Sequence, residues 1–140
     1  MIFKIAKEND SAQIAILVNS AYRGESSRQG WTTEADFLGG QRTDLNAILE
    51  ILKTPDNVFL LCFLDDVLIG SVHLRREQKN CYLGMFVVKP NSQAQGLGKA
   101  FLLHAETFAR EEWQCETMTM TVIALRTELI QWYERRGYVN

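Results

Sequence analysis

The apolar positions of this chain change period several times, and each change marks an element. Ile2 to Ala6 alternates and predicts a short strand. Asp10 or Ser11 then offers a helix cap, with Gln13 placed to close a capping box. Ile14, Leu17, Val18 and Ala21 follow at helical spacing on one face. Arg23 to Gly30 is polar, with two glycines and two serines, and reads as a loop. Thr32 or Thr33 caps a short helical turn through Phe37, which Gly39 and Gly40 end. Thr43 or Asp44 opens a further helix carrying Leu45, Ile48, Leu49 and Leu52, and Pro55-Asp56-Asn57 stops it.

Beyond Asn57 the period falls to two. Val58 to Leu64 and Val67 to Leu74 read as antiparallel strands joined by a turn at Asp65-Asp66. Glu77 to Asn80 makes the next turn, and Cys81 to Val88 is a third strand. Gly84 inside that strand signals a bulge or a close backbone approach. Gly98 to Glu112 returns to helical spacing with Phe101, Ala105, Phe108 and Ala109 inward. Thr117 to Ile123 alternates as a strand. Thr127 caps a last helix to Arg136, Gly137 ends it, and Tyr138 and Val139 begin another strand. Without repeats, low-complexity tracts or linkers, residues 1–140 read as one domain.

Composition narrows the function classes. The chain is 46% hydrophobic and 23% charged, as expected of a soluble domain with a real core. A formal charge of −2 argues against nucleic acid as a constitutive partner. Arg75, Arg76 and Lys79 are the exception, a local basic cluster. Cys62, Cys81 and Cys115 are odd in number and lack metal-ligand spacing, so they read as reduced, mostly buried thiols of a cytoplasmic protein that holds no metal. No secretory signal and no apolar run of the roughly 20 residues a membrane span needs is present, so no membrane partner is expected.

The chemistry concentrates in Phe86 to Ala100, FVVKPNSQAQGLGKA. A β-type run ends at Pro90, a polar loop follows with Gln93, Gly96 and Gly98, and a helix starts directly after it. A strand breaking into a glycine-containing loop at a helix N-terminus suits a diphosphate, because unpaired N–H groups and the positive end of the helix dipole face the anion. The spacing is Gln-x-x-Gly-x-Gly, neither a dinucleotide fingerprint nor a Walker loop; Ala100 stands where a magnesium-binding hydroxyl would be needed.

This stretch resembles motif A of the GNAT superfamily of N-acetyltransferases, (Arg/Gln)-x-x-Gly-x-(Gly/Ala), including the strand and proline ahead of the loop. Leu129 to Val139, LIQWYERRGYV, is similar to that family's C-terminal aromatic-Tyr-Glu-x-x-Gly-(Phe/Tyr) segment. The resemblance implies the acyl-CoA N-acyltransferase fold, α/β in class (α+β), with a mixed, mostly antiparallel twisted sheet flanked by helices. It implies a bulge near Gly84 that splays two strands and opens a slot for the thiol arm of coenzyme A. Backbone groups of Phe86, Val87 and Val88 would pair with that arm, and one N–H would polarise the thioester carbonyl. The main chain of Gln93, Ala94, Gln95, Gly96, Leu97, Gly98, Lys99 and Ala100 would hold the pyrophosphate. Tyr133 matches the tyrosine that protonates the departing thiolate; a phenol of pKa about 10 keeps its proton at neutral pH.

By the same resemblance, Ala21 to Arg42 walls the acceptor site, with Trp31 to stack on a substrate, Glu34 or Asp36 to hold an amine, and Arg23, Arg28 or Arg42 to clamp a carboxylate. Arg126 stands where relatives often carry asparagine. The strand CYLGMFVV lacks the glutamate many relatives use as a base, which leaves Glu34, Asp36, His73 and Tyr82 as candidates beside bulk water. GNAT domains usually continue with two further strands; here the missing pairing implies a shortened chain or cover from a second subunit, a homodimer. The activity implied is transfer of an acetyl group from acetyl-CoA to a primary amine of a small molecule by direct attack. The alternatives are a protein or peptide acceptor, and a coenzyme A-binding module without turnover. A ping-pong route through Cys81 or Cys62 lacks a neighbouring His or Asp motif.

Overall fold

In the computed structural model, residues 1–29, 43–89, 96–121 and 127–139 are described, the side chains of 22–29 and 127 excepted. Strand β1 (Ile2–Ile5) and a single 3-10 turn (Glu8–Asp10) precede helix α1 (Ser11–Gln29) and helix α2 (Leu45–Lys53). Strands β2 (Asn57–Leu64), β3 (Val67–Glu77) and β4 (Asn80–Val88) follow as consecutive hairpins. Helix α3 (Leu97–Trp113), strand β5 (Thr117–Met120) and helix α4 (Thr127–Glu134) complete the order. The five strands form one open sheet in sequence order, antiparallel throughout except for the parallel pair β4–β5. This is the mixed α/β architecture expected from the sequence.

Each face of the sheet buries its own cluster. Ile14, Val18 and Ile48 of α1 and α2 pack on Phe59, Leu61 and Val87. Phe101, Leu102 and Ala105 of α3, with Tyr133 of α4, pack on Leu60, Val72, Leu74 and Leu83. The hairpin turns follow from local chemistry: Asp65 and Asp66 both sit at positive φ, 51° and 65°, the pairing a primed two-residue turn requires. At the start of α2 the Asp44 carboxylate accepts from the Ala47 N–H at 2.8 Å, which settles the choice between Thr43 and Asp44.

One irregularity shapes the site. Ser71 pairs with Val87 and His73 with Gly84, so Val72 alone faces both Met85 and Phe86. The extra residue is Met85, held at φ 48°, one position beyond the glycine that signalled the bulge. Met85 therefore joins the α1/α2 face, while Phe86 turns to the α3/α4 face.

Three expectations are corrected. The N-terminal helix starts earlier, through the 3-10 turn, and Asp10 closes the box by accepting from the Lys7 N–H at 2.8 Å; Gln13 is not its partner. Helix α1 runs through Arg23–Gln29, expected as a loop, because Arg, Glu and Gln are good helix formers and the interior Gly24 costs only about 1 kcal/mol. Tyr138 and Val139 do not form a strand. The N–H of Tyr138 bonds the Tyr133 carbonyl at 3.3 Å and that of Gly137 bonds Glu134 at 3.0 Å, with Gly137 at φ 100°, a Schellman ending that turns the chain back onto α4. The turn expected from Thr32 to Gly40 lies outside the described residues. No helix among the described residues is long and apolar enough to cross a membrane.

Candidate active site

Strand β4 has two halves with different neighbours. Its pairing with β5 runs from Asn80↔Thr117 to Leu83↔Met120 and stops there, where the bulge begins. Strand β5 ends at Met120, whereas β4 continues to Val88. Over Met85 to Val87 the strand therefore has no partner strand on its β5 side among the described residues. An extended molecule with its own amides can pair with such a strand as an added strand would.

The second half of β4 leads to the start of α3. Gly96 is the N-cap, at φ 73°, and among the described residues no side chain caps this end. The first bond of the helix ladder is Ala100 N–H to the Gly96 carbonyl at 3.2 Å, which leaves the amides of Leu97, Gly98 and Lys99 outside the ladder. No acidic residue occupies the first turn. The positive φ makes glycine the fitting residue at 96, and a Cβ there would meet no atom of the described residues within 4 Å. At Gly98 a Cβ would lie 3.7 Å from the Trp132 ring and 3.9 Å from Val88, so the end of β4, the start of α3 and α4 converge there. A helix N-terminus led by glycine, with three amides outside the ladder, fits the pyrophosphate of coenzyme A. Lys99 is exposed on the first turn.

Tyr133 stands beside β4 and is only 6% exposed. It meets Phe86 edge-on at 6.4 Å, Trp132 at 5.1 Å and Tyr138 at 5.8 Å between ring centroids. Phe86 also stacks on Phe101 at 5.6 Å, so aromatic rings tie the bulged strand to both α3 and α4. A cavity of about 590 Å³ adjoins Tyr133, lined also by Glu106, Met118, Met120, Ile130 and Tyr138. The Tyr138 hydroxyl donates to the Glu106 carboxylate at 2.8 Å, and burial together with that bond pushes its pKa up. Sequence reasoning passed over Tyr138 as the start of a strand; the Gly137 stop signal beside it was the available clue.

On the opposite face the bulge is flanked by His73 and Tyr82. His73 is buried at 7% exposure, stacks on Phe59 at 5.3 Å, and bonds the Asn57 Oδ1 through Nε2 at 2.7 Å. Burial first, and the charge of Arg75 second, lower its pKa from 6.5 to about 4, so the ring is neutral at pH 7. The Tyr82 ring lies under the Arg75 guanidinium at 4.8 Å.

The expected basic cluster is neutralised: Arg75 pairs with Glu77 at 2.6 Å, Arg76 with Asp56 at 3.1 Å and Lys79 with Glu116 at 3.4 Å. All three cysteines are free and buried. Burial raises Cys62 and Cys115 and takes Cys81 to about 12, which disfavours the thiolate a ping-pong route needs. Among the described residues no group of His, Cys, Asp and Glu could hold a metal ion. Gln93, Ala94, Gln95, Trp31, Glu34, Asp36 and Arg126 lie outside the described residues.

The described fold is an open mixed sheet, flanked by helices, whose fourth strand extends past its pairing with the fifth. Residues 25–138 match the model of the acetyltransferase (GNAT) family, and the chain belongs to that family. It is an N-acetyltransferase, and members of the family generally use acetyl-CoA. Among curated proteins no sequence matches it. A mutant of the BH1408 protein from Bacillus halodurans aligns over 100% of this chain and 94% of its own, with TM-score 0.79 and 11% identity. The ribosomal-protein-alanine N-acetyltransferase from Brucella melitensis biovar Abortus 2308 aligns over 100% and 94%, with TM-score 0.73 and 15% identity. The aminoglycoside acetyltransferase meta-AAC0020 from an uncultured soil metagenomic sample aligns over 98% and 87%, with TM-score 0.71 and 14% identity. At such identities the likeness concerns the fold.

Proposed function

We propose that this protein transfers the acetyl group of acetyl-CoA to a primary amine of a small molecule by direct attack of the amine. The observation that supports this most is that β4 continues past its pairing with β5 at the bulge, ahead of a helix whose N-cap is Gly96 and whose first amides lie outside the ladder. The amides of Leu97, Gly98 and Lys99 hold the pyrophosphate, together with the main chain of Gln93, Ala94 and Gln95. The main chain of Phe86 to Val88 seats the pantetheine arm and offers an N–H to the carbonyl oxygen as negative charge develops there. Acetyl-CoA supplies an activated acyl carbon and a sulfur leaving group. Tyr133 gives its hydroxyl proton to that sulfur as the carbon–sulfur bond breaks and regains one from solvent.

The test is an amine panel with acetyl-CoA, read by release of free thiol, together with calorimetry of coenzyme A. Tyr133→Phe keeps the ring packed against Phe86, Trp132 and Tyr138. It is expected to lower kcat about 100-fold while leaving coenzyme A affinity within about twofold. Tight binding without thiol release from any amine would favour the binding module instead, and no heat with either form of the cofactor would remove the assignment of the site.

A further inference from the structure

Strand β1 is the outer strand of the sheet at the end away from β5, and among the described residues nothing continues the sheet beyond it. Its pairing with β2 decides which of its backbone groups face outward. The register runs from Ile2↔Phe63 to Ile5↔Leu60, and just past it the Ala6 N–H bonds the Phe59 carbonyl at 2.8 Å. Bonded and non-bonded pairs alternate along an antiparallel ladder. Ile2, Lys4 and Ala6 therefore turn their N–H and C=O groups to β2, while Phe3 and Ile5 turn theirs away from the sheet, with Met1 in the same phase.

The side chains sort with the same period. Met1, Phe3 and Ile5 share the face that carries α3; Phe3 stacks on His104 at 4.1 Å and on Phe101 at 5.9 Å. Ile2 and Lys4 lie on the α1/α2 face, where the Lys4 ammonium sits 5.3 Å from the centre of the Phe63 ring. Met1, Ile2 and Ile5 are 50%, 54% and 55% exposed. Free edges are commonly blunted by charge, proline or a bulge; β1 has neither proline nor bulge, and Lys4 is its one charge.

We infer that this edge pairs with the same edge of a second copy of the chain, antiparallel about a twofold axis at Phe3, so that the two sheets join into one across a homodimer. A twofold contact sets a surface on itself, so the edge must be its own complement. With the axis at Phe3, Phe3 faces the partner's Phe3 and Ile5 faces the partner's Met1. Outward N–H and C=O groups then meet outward groups, apolar pairs line the α3 face, and Ile2 faces the partner's Lys4. The other registers fail on charge or on hydrogen bonding. An axis at Lys4 sets two ammonium groups opposite each other. An axis at Ile2 leaves Ile5 beyond the overlap. An axis at Ile5 opposes Phe3 to the partner's Lys7, a residue whose N–H already bonds the Asp10 carboxylate at 2.8 Å. An axis between residues matches outward groups with inward ones. Strands β2 and β3 separate this edge from β4, so the contact is independent of the cofactor site proposed above.

The experiment is sedimentation equilibrium of the full chain from about 1 to about 200 μM, where a dimer is expected at the upper end. Amide hydrogen exchange at Phe3 and Ile5 should slow about tenfold between the dilute and the concentrated protein. Ile5→Pro removes an outward donor from each copy and spares the bonds to β2, so it should weaken the dimer about tenfold or more with circular dichroism unchanged. Ile2→Glu sets a carboxylate opposite the partner's Lys4 and should tighten the dimer about threefold, a gain that adding Lys4→Glu should reverse. A monomer throughout would overturn the inference and leave the edge to a strand of another protein. A dimer with unslowed exchange at Phe3 and Ile5, or one indifferent to Ile5→Pro, would overturn it by placing the contact elsewhere. Weakening by Ile2→Glu would refute the axis at Phe3, and it reads the contact even where Ile5→Pro fails to fold.

Discussion

Acidification should destabilise this fold through its two imidazoles, His73 above all. The pKa of His73 is lowered from 6.5 to about 4, by burial first and Arg75 second. The unfolded chain regains the ordinary value, so between those limits it binds more protons than the native state. Unfolding free energy then falls as pH drops through the window; above about 6.5 both states are neutral and the imidazole contributes nothing. The Nε2–H bond to Asn57 survives protonation, since Nε2 donates in both forms, and does not alter the sign. At about 1.36 kcal/mol per unit, the full effect is roughly 3 kcal/mol, and roughly 2.5 kcal/mol has been lost by pH 4.5. Against a typical stability of about 5–15 kcal/mol that is a readily measured loss.

The clean measurement is a difference. His73→Gln keeps an N–H to offer Asn57 but cannot titrate. Urea unfolding followed by tryptophan fluorescence, at about pH 7 and about pH 4.5, includes every carboxylate in both proteins, so their contributions cancel. The wild type is expected to lose about 2 to 3 kcal/mol more than the variant across that interval. Equal pH dependence in the two proteins would refute the reasoning, because a buried neutral ring cannot be protonated without cost.

Three further outcomes follow from the packing. A Cβ at Gly70 would sit 3.1 Å from the Phe101 ring and 3.2 Å from the Val87 carbonyl oxygen, and the backbone oxygen cannot move aside, so Gly70→Ala should cost about 1–3 kcal/mol by urea unfolding. Asp44→Ala removes the bond to the Ala47 N–H and should lower stability by about 1 kcal/mol in the same assay. With three buried thiols, one of them raised to about 12, an aromatic disulfide reagent should titrate them slowly in the native protein and fully in denaturant; rapid native reaction would contradict their burial.

What could be read from the sequence was periodicity and local chemistry. The hairpins, the α2 cap and the inward positions of α3 follow from residue order alone, because each depends on neighbours within a few positions. The bulge was signalled by Gly84, yet the residue bearing the positive φ is Met85, since the kink is set by what Val72 must oppose across the hairpin. The extent of α1 past Arg23 was hidden because polar residues of good helix propensity look like loop when they carry no apolar stripe. The fate of Tyr138 depended on Glu106, which is distant in sequence, and on a backbone turn that competes with strand formation. The Asn57–His73 bond likewise joins two strands and has no local signature.

The bulge also explains why the two sides of the site can be perturbed separately. By inserting Met85 it leaves Gly84 beside His73 on the α1/α2 face and turns Phe86 onto the α3/α4 face. The thioester seat proposed here is main chain between these two environments. On one side, aromatic contacts among Phe86, Phe101, Trp132 and Tyr133 join the strand to α3 and α4, the helices that carry the amides and the tyrosine proposed for the cofactor. On the other, Asn57 and Phe59 hold a neutral imidazole beside Gly84. The two sets of side chains share the strand but belong to different packed clusters, so substitutions in one should add to those in the other to within about 0.5 kcal/mol in stability.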